Sequence, residues 1–453
     1  MPILAELPRL LAATAVVGGY AGLCLAILLR ARHAASLQVP GSGGGGGVVL
    51  IAYASQTGFA EQLARDSAQA LRSAGVAAEL CELGRLDATR LSAVERALFI
   101  VSTCGEGDPP DNGALFARRV ITSTAALQGL HYGLLALGDS SYTRFCGFGR
   151  MLDDWLIGNG ARPMFDRIEV DQASDAALCQ WQHALGHLAG TADLPDWRAP
   201  GFDSWWIRTR TCLNPGSAGA PTFHLELEPA DGAPLPLWEA GDLVQVLAPG
   251  DPQRPREYSI ASIPADGRLH LLVRQQRDAS GRLGIASGWL TDAAALDEPI
   301  ALRLRPHRNF RLGDNHTRPL ILIGNGTGLA GLRAHLRARA RTGDGRNWLI
   351  FGERNAAHDC YYRNELEDWL ARDLIVRADF AFSRDQAERL YVQHRLIKAA
   401  ATVREWVTGG AAIYVCGNAV GMATEVDAAL GQILGDEFRD RLLAEGRYRR
   451  DVY

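Results

Sequence analysis

Three stretches of this chain gather backbone amides and hydroxyls where phosphate could be held. The first, "SQTGFAE" (55–61), follows the apolar run "VVLIAYA" and opens a helical pattern. Ser55, Gln56 and Thr57, with the amides of Gly58, Phe59 and Ala60, form a cup of donors at the positive end of a helix, suited to a monoester phosphate. No Lys or Arg lies in this loop, whereas a G-x-x-x-x-G-K-[ST] triphosphate loop needs its Lys. Read alone, the loop is also consistent with a simple N-capped helix. The second, "GRLGIASGWL" (281–290), sets Gly284, Ile285, Ala286 and Ser287 at a helix start, an amide nest sized for pyrophosphate. Upstream, "RPREYSIAS" (254–262) presents Arg256 and Tyr258 on one face of a strand and Ser259 on the other. The third, "LILIGNGTGLAG" (320–331), reads as strand, Gly-rich turn and helix, with Gly326, Gly328 and Gly331 in G-x-G-x-x-G around Thr327. Glu353 ends the next strand, where a Rossmann fold places a ribose-binding acid, and by that rule alone the nucleotide is NAD. Cys416, in "IYVCGNAVGMA" (413–423), ends a buried strand pattern, a position that packing alone explains.

Those loops need strand ends to carry them. From Val48 to about residue 190, apolar runs alternate with amphipathic ones. The pattern predicts strands at 48–54, 97–102 and 132–137, and helices at 59–74, 113–120, 145–157 and 173–189. Such alternation implies a parallel sheet covered on both faces. Loops "STCGEGDPPDNG" (102–113) and "LGDSSYTRFCGFG" (137–149) then leave the same sheet edge as "SQTGFAE", where open α/β sheets bind ligands. The stretch 191–204 is a linker with Pro and Trp. Short alternating strands from 205 to 312 predict an antiparallel barrel. Region 313–453 alternates again, with helices predicted at 328–340, 362–371, 386–401 and 419–433.

At 453 residues the chain is too long for one core. It is 47% hydrophobic and 22% charged with a net charge of -4, which offers no basic field for nucleic acid. The eight cysteines are scattered, without C-x-x-C pairs or histidines at ligand spacing, so no metal site and no disulfide framework is expected. Residues 10–29 carry no charge over a length matching a bilayer core of about 30 Å. A transmembrane anchor at 8–30 is therefore expected, followed by a Gly/Ser-rich linker at 31–47. Arg30, Arg32 and His33 outweigh Arg9, which puts the remainder in the cytoplasm of a single-pass inner-membrane protein.

Taken in order, these motifs resemble the diflavin reductase family, of the NADPH-haemoprotein reductase and sulfite reductase flavoprotein types. The resemblance implies a flavodoxin-like FMN domain (48–190), an FAD-binding barrel (205–312) and an NADPH-binding domain (313–453), joined without the large connecting domain. FMN is then bordered by Thr103, Cys104, Gly105, Gly107 and Asp108 and by Leu137, Gly138, Asp139, Phe145, Cys146 and Gly147. Tyr142 is the stacking ring and Asp171 a late acid beside it. Some relatives stack a second aromatic where Cys104 stands here. For FAD, the resemblance assigns Arg256 to pyrophosphate, Tyr258 to stacking, Ser259 to the neighbourhood of N5, and Gly284 to Ser287 to phosphate support.

For NADPH it assigns the Gly326–Gly328 turn, and places Arg354, Ser383, Arg384, Arg389, Tyr391 and Gln393 on the adenosine 2'-phosphate, leaving Glu353 a solvated strand end. Gly331 stands where the family has Pro, and Asn418 where many members have Asp. Cys416, Ser259 and Asp451 line the implied hydride path from NADPH to FAD, and Tyr453 covers the flavin face. Single electrons then pass to FMN and to an acceptor.

Residues 48–190 hold 11 Lys/Arg against 16 Asp/Glu, and Glu106, Asp108 and Asp111 rim the FMN site, a field suited to a basic partner. The expected acceptor is a haem protein or similar. Alternatives are a place as the flavoprotein of an assimilatory sulfite reductase, a ferric or flavin reductase, and a nucleotide-binding redox sensor without turnover.

Overall fold

The computed structural model describes residues 47–190 and 201–453, apart from 173, 231, 297 and 345. The expected anchor at 8–30 lies outside the described residues. Among those described, no helix is long and apolar enough to cross a membrane.

Three sheets carry the chain. The first comprises β1 (Val49–Ala54), β2 (Ala78–Glu82), β3 (Arg96–Ser102), β4 (His131–Gly138), β5 (Arg162–Pro163) and β6 (Ile168–Asp171). Its order is β2-β1-β3-β4-β5, with β6 also beside β4, and every pair is parallel. Successive residues of β1 enter opposite cores, as a period of two requires. Val49 and Ile51 pack with Ala60, Leu63 and Trp181, whereas Leu50 and Ala52 join the cluster of Phe116, Phe148 and Trp155. Trp181 is fully buried and its indole donates to Ser67 Oγ at 3.0 Å, which pins the helix Asp175–Ala189 against the helix Phe59–Ser73. Truncation of that ring to Ala costs about 3–5 kcal/mol.

The second sheet holds β7 (Asp203–Cys212), β8 (Thr222–Pro229), β9 (Leu243–Ala248), β10 (Asp251–Ser259), β11 (Leu269–Arg274) and β12 (Pro299–Arg305). The order is β10-β9-β12-β7-β8-β11, all antiparallel, and a bridge between Ile260 and Leu271 brings the two edges together, so the sheet closes as a barrel.

The third contains β13 (Leu320–Asn325), β14 (Asn347–Glu353), β15 (Ile375–Phe382), β16 (Ala412–Gly417) and β17 (Tyr448–Val452), in the parallel order β15-β14-β13-β16-β17. Two features depart from expectation. The single helix expected at 386–401 is two, Val392–Lys398 and Ala400–Thr408, which meet at Ala399 (φ −99°, ψ 20°), and the first starts at Val392, where the Tyr391 amide donates to His394 Nδ1 at 3.1 Å. The tail is an ordered strand: β17 pairs with β16 so that Cys416 faces Asp451 in register.

The first and later sheets also touch directly. Arg450 on β17 forms an ion pair with Asp111, and Arg118 binds Asp440 at 2.7 Å. Asp111 is therefore engaged by this chain's own C-terminal strand, whereas Glu106 and Asp108 are exposed.

Candidate active site

Three strand ends converge on one acid. Ser259 closes β10, Cys416 lies near the end of β16, and register places Asp451 beside Cys416. Ser259 Oγ donates to Asp451 Oδ2 at 2.7 Å, and the Cys416 thiol lies 3.5 Å from the same oxygen. All three are buried. Burial, then the Asp451 charge, pushes the Cys416 thiol well above its ordinary range, so it stays protonated and acts as a donor to Asp451.

His307 joins this cluster, and no motif pointed to it. Its ring is fully buried with Nδ1 3.8 Å from Asp451 Oδ1. Nε2 lies 2.9 Å from the Gln56 carbonyl, which only accepts, so that nitrogen carries the proton. Burial depresses the His307 pKa and keeps the ring neutral.

Tyr453 extends β17. Its amide donates to the Gly417 carbonyl at 3.1 Å and its own carbonyl accepts from Ala419 at 2.9 Å. The residue is 55% exposed, yet burial pushes its phenol well above the ordinary range, and its hydroxyl donates to Thr327 Oγ1 at 3.2 Å. The terminal aromatic is thus held by its backbone and, through its hydroxyl, at the Gly-rich turn.

That turn packs tightly. A Cβ on Gly328 would come 2.0 Å from the Cys416 carbonyl oxygen, and one on Gly331 would come 3.0 Å from the Phe310 ring and 3.4 Å from Cys416 Sγ. The missing Pro at 331 therefore leaves room beside the thiol. A cavity of about 500 Å³ opens from Gly326 past Arg354, Ser383, Arg384, Tyr391 and Gln393. Gln393 Oε1 is buried without a partner, as a nucleotide-facing acceptor would be before its ligand arrives. Arg389 is exposed and does not line this cavity. Glu353 is not solvated: its side chain is 5% exposed, ion-paired with Arg274 and hydrogen-bonded by Tyr361 at 3.1 Å. Glu353 lines the cavity with its charge neutralised by Arg274, and the other two lining arginines, Arg354 and Arg384, suit a 2'-phosphate. A second groove of about 540 Å³, around Arg65, Gln69 and Arg72, includes none of these residues.

The loops at the edge of the first sheet do converge. A Cβ on Gly147 would come 2.9 Å from Gly107 Cα, so glycine is what lets the second and third loops touch. The Tyr142 ring is 43% exposed, ready for a stacking partner. Asp171 accepts from the Ser140 amide at 2.9 Å and hydroxyl at 2.6 Å, and Asp139 from Ser141. Cys104 sits 3.6 Å from Gln56 Oε1 and supplies no ring. The Cys146 thiol turns inward to the Ala136 carbonyl at 3.3 Å, so only its backbone borders the loops, and Leu137 is likewise buried. The amides of Phe59 to Glu61, in the first helical turn, have no intrahelical acceptor and fit a phosphate.

On the barrel, Arg256 reaches Asp251 at 3.1 Å and the Arg254 carbonyl at 2.7 Å, and Tyr258 is half-buried with its phenol pushed up by burial. Gly284 precedes a short helix, Ile285–Gly288, and Ser287 Oγ accepts from Gln276 at 3.1 Å.

Among the described residues, one trio has metal-ligand composition, His224, Glu226 and His270. Arg333 donates to His270 Nδ1 at 3.2 Å, which puts the imidazole proton on Nε2, and Arg268 binds Glu226 at 2.8 Å. Glu226 is thus ion-paired, and the Nδ1 lone pair of His270 is taken up by Arg333.

Comparison with known proteins matches the Flavodoxin model to residues 51–181 and the Oxidoreductase NAD-binding domain model to residues 322–428. Three similar proteins bear the name sulfite reductase [NADPH] flavoprotein alpha-component. That of Vibrio parahaemolyticus is 28% identical, covering 90% of this chain and 86% of its own length. That of Aliivibrio fischeri is 29% identical over 90% and 89%, and that of Neisseria meningitidis 28% over 89% and 89%. The first alignment extends over 542 residues, more than the 453 of this chain, so the relative carries segments absent here.

Fusion of a flavodoxin module with an NAD-binding oxidoreductase module defines the diflavin reductase type. This chain is such a fusion, and FMN, FAD and NADPH are the cofactors it implies.

Proposed function

We propose that the chain is the flavoprotein component of a sulfite reductase-like system, passing electrons from NADPH through FAD and FMN to a partner haemoprotein. The single observation that carries the reductase reading is the Ser259–Asp451–Cys416 cluster, assembled from three distant segments. The flavins supply hydride acceptance and one-electron transfer. The protein's share is to orient the nicotinamide beside Thr327 and Tyr453, hold Asp451 between two donors, and exclude water at Cys416.

Gly326–Gly328, Arg354, Ser383, Arg384, Tyr391 and Gln393 are assigned to NADPH; Arg256, Tyr258 and Gly284–Ser287 to FAD; the loops at 55–60, 103–108 and 137–147 to FMN. The domain divisions expected from sequence accompany these assignments. The names of the relatives favour a sulfite-reducing partner over the general haem-protein acceptor. The uncharged stretch 10–29 supports a second reading, in which the same electron path serves an acceptor at the cytoplasmic face of a membrane.

Flavin extraction of the purified chain tests the path: one FMN and one FAD per chain are expected, and FAD alone would remove the electron exit. NADPH oxidation is then measured with cytochrome c and with a sulfite reductase haemoprotein. Turnover with cytochrome c but not with the haemoprotein overturns the first acceptor, and no NADPH oxidation with either leaves a nucleotide-binding sensor.

A further inference from the structure

The loop 55–61 contains no cation, and the fold brings one to it from the barrel. Arg305, the last residue of β12, donates to Thr57 Oγ1 and is ion-paired with Glu257 on β10. Its guanidinium lies 5.6 Å from the centre of the Phe59 ring, at the helix start that follows the loop. The chain then continues along the same loop. Pro306 O lies 3.2 Å from where a Cβ on Gly58 would stand, His307 Nε2 meets the Gln56 carbonyl at 2.9 Å, and Asn309 Nδ2 donates to the Ser55 carbonyl at 2.6 Å.

Residues 307 and 309 therefore satisfy carbonyls of the loop, while the helix-start amides stay directed at a ligand. The Arg305 side chain is only 17% exposed, and burial pulls its pKa down to about 10. A guanidinium brings five donors, more than these two contacts use. A dianionic monoester would take up the remaining donors in competition with Glu257.

We propose that Arg305 is the cationic partner of the FMN phosphate, supplied to the 55–61 loop across the module boundary, so that FMN retention and module docking are coupled. This rests on reading 55–61 as the FMN phosphate loop. Coupling is reciprocal: bound FMN tightens docking by the factor by which docking tightens FMN.

FMN binding to the full chain is measured by fluorescence at low and high salt, with FAD content as the folding control. Arg305→Gln is expected to raise the FMN Kd about tenfold at low salt, as for a lost charge-assisted contact. The wild-type Kd rises with salt and the variant's rises less. Glu257→Gln keeps the guanidinium and removes its competing carboxylate, and is expected to tighten FMN, which keeps the test informative should Arg305→Gln fail to fold. Thr57→Val separates the two readings. If Thr57→Val weakens FMN while Arg305→Gln and Glu257→Gln leave its affinity and salt dependence unchanged, the cross-module clamp is wrong and the loop stands. If none of the three alters FMN binding, or the wild type binds no FMN, the loop reading fails with it.

Discussion

Ser259 and Asp451 are separated by 192 residues and share a 2.7 Å hydrogen bond in a buried site. The bond depends on parallel pairing of β17 with β16, so the orientation of the acid is a property of the whole third sheet. Asp451→Ala removes the carboxylate shared by the Ser259 hydroxyl and the Cys416 thiol, and is expected to slow flavin reduction by NADPH about 10²-fold with FAD content unchanged. Because the three groups act as a unit, Ser259→Ala added to Asp451→Ala is expected to cost far less than its effect alone. Stopped-flow bleaching of flavin absorbance measures both, and strictly multiplicative losses would show independent roles.

Tyr453 is held by two backbone hydrogen bonds, so its ring moves about a fixed anchor rather than on a loose end. On the proposed assignment, an aromatic at this place would compete with nicotinamide for the flavin face. Tyr453→Ala is expected to tighten nicotinamide binding about tenfold, near the worth of one aromatic stack, and to relax the preference for NADPH over NADH. Tyr453→Phe retains the ring and loses only the bond to Thr327, so its coenzyme selectivity should stay near wild type. Equal coenzyme affinities in all three proteins would remove the lid.

The loops at 55–61 and 320–331 were legible in the sequence as strand–turn–helix units because a Gly- and hydroxyl-rich turn between strand and helix is a local event. Ser259, Cys416 and Asp451 were legible through resemblance alone; nothing in their spacing places them together. His307 and Arg305 were illegible for a physical reason. Their partners on the first sheet's loop lie 251 and 248 residues away, beyond the reach of any local pattern. The strand β2 was missed because "AELCE" alternates at a sheet edge, with only Cys81 buried. The expected helix at 386–401 started too early because Gln386 to Leu390 are polar enough to look helical, yet they form a loop between Arg384 and Tyr391, the two residues of this run that border the cavity.

Buried histidines predict an acid-labile fold. Burial holds His270 and His335 at about 3, the first also facing His224 and Arg333 and the second Arg449 and Arg339. Both lie below the unfolded value of about 6.5, so the unfolded chain takes up protons first as pH falls. Their stabilisation is complete above about pH 6.5 and declines toward 3, by up to roughly 1.4 kcal/mol per pH unit per histidine. Urea unfolding between pH 7.5 and 5, above the carboxylate range, should show falling stability. His335→Leu is expected to flatten part of that slope, because its ring stands fully buried between Phe310 and Tyr414. An unchanged slope would assign the acid loss elsewhere.

The Arg450–Asp111 pair joins the strand that carries Asp451 to the end of the 102–113 loop, whose residues 103–108 the proposed function assigns to FMN. The side chains are 20% and 18% exposed, so the pair is screened less than a surface bridge, and Gln56 Nε2 adds contacts to both partners at 3.2 and 3.3 Å. Loss of one partner leaves a mostly desolvated charge, the costly half of such a change. Arg450→Ala and Asp111→Ala are each expected to loosen docking, seen as a larger radius of gyration in solution scattering. The swapped pair Arg450→Asp with Asp111→Arg should recover part of the compact form. Because Asp111 is held internally, its loss should weaken partner binding no more than the loss of Arg450 does, whereas neutralising the exposed Glu106 and Asp108 should weaken an electrostatically steered partner at low salt. Compact scattering in both single variants would show that Asn309, His307 and Arg305 hold the modules together without this pair.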